Sequence, residues 1–227
     1  MAQNLRTRFS PARCVRLSKR FIRMCTQISG AEQLIPDVQN AIKDVQQKES
    51  LFNAADESVD YAYDITQLKD SNLDNSIRDT AEDCKRFDRN NLGSQVYSLI
   101  FPQNTIPIID EYYKHEPAEV RKLINRIRIL GPDHPLLQNA SRLQQLVKES
   151  EEAIHNLADA EEIMDSCQED LNAAKQKLIQ VYNNTILKSI QLFGKNNTDK
   201  LFPSIKSKKK MIDQDSNTPA EETVPVG

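Results

Sequence analysis

Glu152-Ala-Ile-His155 is a place where residue types and spacing match a known chemistry. A Glu and a His three residues apart on one helix form the Glu-x-x-His element that feeds a carboxylate and an imidazole to a di-iron bundle. Such a centre needs two of these elements and two more inward Glu residues, and the second element is missing. In the heptad frame around them Ile154 and Leu157 point inward, which turns Glu152 and His155 toward water. The pair therefore reads as solvated, and no metal or cofactor is expected. His115 and His134 sit in Pro-interrupted segments and read as surface or turn residues rather than ligands. No Gly-x-Ser-x-Gly, Gly-rich phosphate loop or His-Glu-x-x-His occurs. The acidic runs Glu149–Glu152 and Glu161-Glu162 suit an exposed helix face better than a general acid/base pair. No catalytic residue is assigned, and the chain is expected not to be an enzyme.

Charge is more informative. The net charge of −3 hides seven bases and no acid in residues 1–30, and six lysines with one Asp in 195–210. Residues 211–227 hold four acids, which leaves −11 on residues 31–194. Arg13, Arg16, Lys19, Arg20 and Arg23 run along the first helix, and Lys206, Lys208, Lys209 and Lys210 form a second cluster. These nine residues are the candidate electrostatic contacts. They have three readings: a solvated face over a packed apolar stripe, a footprint for nucleic acid or an acidic partner, or a membrane-surface or targeting helix. Aromatic interleaving for single-strand stacking is thin, with only Phe9 and Phe21 nearby.

The elements that must carry these residues are helical. Only 38% of the chain is apolar and Gly numbers five, which favours an all-α fold with a thin core, an elongated bundle of long antiparallel hairpins with coiled-coil-like heptads. Ser10-Pro11 marks a helix start, and Cys14, Leu17, Phe21, Met24 and Ile28 give it one apolar stripe before Ser29-Gly30. A second helix spans 32–70. Asp70-Ser71-Asn72 reads as a tight turn, so that the 38–63 stripe packs on a third helix from about 73 to 100, stopped by Pro102. Short helices are expected near 107–115 and at 117–130. Residues 136–193 lack Gly and Pro and carry a heptad pattern with one stammer near 157. They read either as one helix or, preferably, as a run that bends or folds back near Asn156–Asp159, with Asp159 and Glu162 as a cap.

The chain thus divides into a basic amphipathic helix (1–30), a helical bundle (31–202), and a Lys-rich then acidic tail (203–227) read as disordered. A duplication inside the bundle is an open reading. Leu92-Gly93, six residues, then Ile100-Phe101-Pro102 is matched by Phe193-Gly194, six residues, then Leu201-Phe202-Pro203, an offset of 101. The alternative is chance agreement between two heptad-patterned regions.

A helical hairpin, Asp74-x3-Arg78-Asp79, then Leu99-Ile100-Phe101-Pro102, a Tyr112/Glu116 segment and a broken helix ending at Leu130 follow one another over roughly residues 30–160. In this layout the chain resembles a loose group of uncharacterised bacterial all-helical proteins. The resemblance implies an all-helical fold and a bacterial cytoplasmic setting, and no activity.

Cys14, Cys25, Cys84 and Cys167 form no C-x-x-C pair and read as small buried hydrophobes in a reducing cytoplasm. No secretory signal or membrane span is visible. The expected function is a non-enzymatic interaction or scaffold protein that meets a protein partner or its own copy through helix faces. The alternative is a nucleic-acid-associated protein that uses the two basic ends.

Overall fold

The computed structural model describes residues 2–110 and 113–202. They are all-α, with no strand among them. Six α-helices occur among the described residues: α1 (Pro11–Cys25), α2 (Ile35–Asn90), α3 (Val96–Ile100), α4 (Ile106–Ile109), α5 (Glu116–Arg128) and α6 (Leu137–Leu201). A 3₁₀ turn, Glu32–Leu34, leads into α2.

The helix ends follow local rules. Ser10 Oγ accepts from the Arg13 amide at 3.3 Å, and Pro11 opens α1. At the far end of α2, Asn91 Nδ2 donates to the Phe87 carbonyl, and Gly93 takes φ +92°. Asp88 then starts α3 by accepting from Ser94 Oγ and from the amides of Val96 and Tyr97. Burial works against its charge, but those three hydrogen bonds prevail and hold the Asp88 carboxyl below the usual range.

The two long helices, α2 with 56 residues and α6 with 65, form the frame. They run antiparallel, as the ion pairs Lys48–Asp170, Lys69–Glu149 and Arg142–Asp79 require. This corrects the hairpin of 38–63 with 73–87: both stripes lie on α2, and each faces α6. The expected turn at Asp70–Asn72 is absent. Ser71 and Asn72 are exposed and cost little in a helix, while Thr66, Leu73 and Ile77 keep one buried stripe running through the spot. The expected fold-back near Asn156–Asp159 is likewise absent, and α6 passes through it. Asp159 does not cap a helix there; it lies 3.4 Å from His155 one turn away. The real break in α6 is Gly194 at φ +73°.

Other expectations shift at their edges. The helix expected to reach 100 stops at Asn90 and restarts as α3. Of the one expected near 107–115, the described residues show α4, Ile106–Ile109. The tail 203–227 lies outside the described residues.

Two cores form, one at each end of the α2/α6 pair. At the head, α1 lays Cys14, Val15, Phe21 and Cys25 between the start of α2 (Val38, Ile42, Val45) and the end of α6 (Leu178, Tyr182, Ile186). The basic helix 1–30 therefore shares this core rather than standing apart. At the far end, α3, α4 and α5 close over Leu73, Ile77, Ala81 and Cys84 of α2 and Leu136, Ala140, Leu143 and Val147 of α6. Between them α2 and α6 pair through little more than Ala55, Thr66, Ala153 and Leu157.

Several features of the two ends fall at matching positions. At an offset of 101, Gly30 matches Gly131 and Gly93 matches Gly194, and all four have positive φ. Buried Ile100-Phe101 matches buried Leu201-Phe202. The inward residues of α5 (Glu116, Pro117, Val120, Leu123, Ile127) match those of α1 (Cys14, Val15, Ser18, Phe21, Cys25) at an offset of 102. The Asp88-to-Tyr97 link has its counterpart in a hydroxyl pair, Ser189 with Thr198, at 3.0 Å.

Candidate functional site

Burying the apolar stripe of α1 turns its bases outward. Arg16, Lys19, Arg20 and Arg23 are exposed and belong to none of the ion pairs among the described residues. Arg13 is half-buried, with its guanidinium 4.2 Å from the centre of the Phe9 ring. Beside this face a groove of 340 Å³ runs between α1 and α2, lined by Lys19, Ile22, Arg23, Gln39, Ile42, Lys43 and Gln46. The structure thus brings the five α1 bases together on one surface. Lys206, Lys208, Lys209 and Lys210 lie outside the described residues, so no geometry joins the two basic clusters.

The waist has the opposite charge. From 49 to 68 α2 carries five acids and no Lys or Arg; from 149 to 170 α6 carries nine acids and neither base. Among these acids Tyr61 is 70% exposed and Ile163 59%, with Leu51 and Leu68 also in water. Glu152 and His155 are exposed here as well. His134 instead packs against Phe87 with ring centres 4.6 Å apart and the planes tilted by 50°, and His115 is exposed. No cluster of His, Cys, Asp and Glu suited to a metal ion occurs among the described residues. Nor is any described helix long and apolar enough to cross a membrane.

Sequence reasoning missed a third feature. Glu116, the first residue of α5, is 1% exposed, yet neither carboxyl oxygen has a donor partner. Burial, hydrogen-bonding contact with Asp70 and Asp74, and their negative charges push Glu116 up to about 9. Asp74 is also raised, chiefly by burial, against the pull of Arg78, whose Nη2 lies 3.3 Å from Asp74 Oδ2. Asp74 Oδ1 is buried without a donor. With its carboxyl raised so far, Glu116 keeps its proton at neutral pH. Asp70 also lines a cavity of 300 Å³ together with Tyr63, Thr66, Gln67 and Tyr113. Asp74, Arg78 and Glu116 were legible as a layout. That they touch was not, because 42 residues and a Pro-broken segment separate Asp74 from Glu116.

The thiols are quiet. Burial raises Cys14, and pushes Cys25 and Cys84 up to about 12; Cys167 is half-buried.

Compared with protein-family models, curated proteins and solved structures, the chain has no match.

Proposed function

We propose that this chain is a non-enzymatic helical interaction protein of the bacterial cytoplasm, a scaffold that meets a protein partner or its own copy through charged helix faces. The observation that carries this reading is the pairing of two unsatisfied surfaces on one frame. Four exposed bases on α1 have no ion-pair partner among the described residues, and the waist has a stretch of acids without a Lys or Arg. Like charges held together on a folded surface repel, and an oppositely charged partner relieves that repulsion. The exposed Tyr61, Leu68 and Ile163 add apolar contact within the acidic stretch. The long α2/α6 pair, read as a coiled-coil-like hairpin, holds the two surfaces at a set spacing.

The basic face of α1 also favours a second reading, binding to nucleic acid. The two readings separate on salt. A surface that contacts phosphates loses affinity with a slope of about 0.9 in log salt per contact on duplex DNA. The experiment is a salt titration of duplex and single-stranded oligonucleotides against the full chain and against Arg16→Glu/Arg20→Glu. Light scattering on both proteins over the same salt series runs alongside. Negligible oligonucleotide binding near physiological salt, with low-salt association that the double variant weakens, is the expected result. Tight oligonucleotide binding whose slope falls in the variant would replace the scaffold reading with the second one.

A further inference from the structure

The acids of the waist and the bases of α1 match in position as well as in sign. Each long helix keeps a buried line at multiples of seven: Val38, Val45 and Leu73 on α2, and Leu143, Leu157 and Leu171 on α6. Residues that stand multiples of seven apart therefore share a face on either helix. On α2, Gln39, Ile42 and Gln46 line the groove beside α1, and Tyr63, Gln67 and Asp70 line the cavity toward the far end. The two sets are in step: Ile42 with Tyr63 and Asp70, Gln39 and Gln46 with Gln67. One face of α2 thus serves both ends. Between them it bears Asp56, in step with Ile42, and Asp60, in step with Gln46. On α6, Tyr182 meets Phe21 of α1, and Glu151 pairs with Arg121 of α5. Glu161 is in step with Tyr182, and Asp165 with Glu151. The ion pairs Lys48–Asp170 and Lys69–Glu149 fix the register and bring these four acids to one level. All four are exposed and belong to none of the ion pairs among the described residues. The side of the α2/α6 pair that carries α1 and α5 therefore has an acidic trough between them.

The trough has the length of α1. From Gln46 to Tyr63 α2 runs 17 residues, about 25 Å, and α1 has 15 residues, about 22 Å. α1 also lies along the pair, since Cys14 has Lys175 as a charged neighbour and Phe21 meets Tyr182, seven residues on in both helices. Its outer stripe, Arg16, Arg20 and Arg23 with Lys19 beside them, offers four bases to the four acids. The α1 of the same chain is held in the head core by Cys14, Phe21 and Cys25. Only a second copy can bring an α1 into the trough.

We propose that two copies of this chain pair antiparallel, with the basic face of each α1 lying in the acidic trough of the other. This rests on the scaffold reading above and names its partner. A two-fold axis across α2, between the head and the waist, places both α1 helices in both troughs at once. Each contact is then made twice, and association closes at the dimer. Facing opposite charges steer the encounter and fix its register, and salt weakens it.

Sedimentation equilibrium of the full chain, over a concentration series at low and at raised salt, tests this. A dimer whose affinity falls with salt is expected, with no larger species. Arg16→Glu/Arg20→Glu and Asp56→Lys/Asp60→Lys should each weaken it by about tenfold or more, because like charges then face one another. All four positions are exposed, and circular dichroism checks that both variants fold. An equimolar mixture of the two variants should restore the dimer, since every contact in the mixed pair again joins opposite charges. Four results would overturn the proposal: a chain that stays monomeric at low salt, self-association that both variants leave unchanged, assembly that grows past the dimer, or a mixture that fails to associate. Self-association that survives the variants, or grows past the dimer, leaves the scaffold reading standing through other contacts. A monomeric chain that binds oligonucleotides tightly removes both.

Discussion

The head and the far end solve one packing problem with different side chains. Both lay a short helix across the α2/α6 pair, and both follow a long helix with a left-handed glycine and a buried Phe. The head fills its centre with rings. Phe21 stacks on Phe202 with centres 4.5 Å apart, and Tyr182 meets both edge-on at 5.9 and 5.3 Å. At the far end Leu123 stands for Phe21 and Ala81 for Tyr182, and Ile108 of α4 helps to close the smaller centre. Backbone layout and inward positions are shared, but chemistry is not. Buried polarity follows the same split. The head hides two hydroxyls without a partner, those of Ser18 and of Tyr182, whose ionisation burial pushes far up, whereas the far end hides the Ser76 hydroxyl, Asp74 Oδ1 and both oxygens of Glu116.

Truncating the matched centres is the strongest way to test this contrast. Phe21→Ala should destabilise the chain by about 3–5 kcal/mol, because it removes both ring contacts and leaves a cavity. Leu123→Ala should cost about 2–5 kcal/mol, toward the lower end if α4 settles into the gap. Urea unfolding followed by circular dichroism measures both. A Phe21→Ala cost below that of Leu123→Ala would show that the aromatic cluster is not what holds the head.

The next effect belongs to the far end alone. Glu116 has its folded-state pKa raised to about 9, and burial also raises Asp74. A raised carboxyl binds its proton more tightly when folded than when unfolded. Its stabilising contribution is therefore complete below the unfolded value near 4.5 and is lost as pH rises through the folded one. Stability measured by urea unfolding should fall across that window, and Glu116→Gln should flatten most of the slope. A slope equally steep in the variant would place its origin elsewhere. The head, with Cys14 at the matching position, should contribute none of it.

The smallest expected effect treats the ends alike. Gly93 and Gly194 have φ of +92° and +73°, and a Cβ at either would meet nothing within 4 Å. Alanine there suffers only backbone strain, about 1–2 kcal/mol at each site. Thermal or urea unfolding of Gly93→Ala and Gly194→Ala should give similar losses. A large difference would mean that the two turns do not play matching parts.

Much of this was legible in residues taken in order. The cap at Ser10-Pro11 and the inward stripe of α1 are local, set by what a backbone and its near neighbours permit. The spacing of Leu92-Gly93 and Phe193-Gly194 left a duplication open beside chance agreement. The break near Asp70–Asn72 was misread for a physical reason. Asp, Ser and Asn favour turns only mildly, and the gain from burying Leu73 and Ile77 against α6, more than 60 residues away in the chain, outweighs that preference. The same holds at Asn156–Asp159, where burying Leu157 keeps α6 helical. By itself, then, the sequence determined the all-α class, most helix ends and the separation of charge, since these depend on composition and near neighbours. Only the tertiary structure decided that α2 faces α6 along its length, that the bases of α1 share one outer surface, and that Glu116 is buried without a donor at the start of α5. Those contacts join residues far apart in the chain, and burial energy, which periodicity does not encode, selects among the pairings.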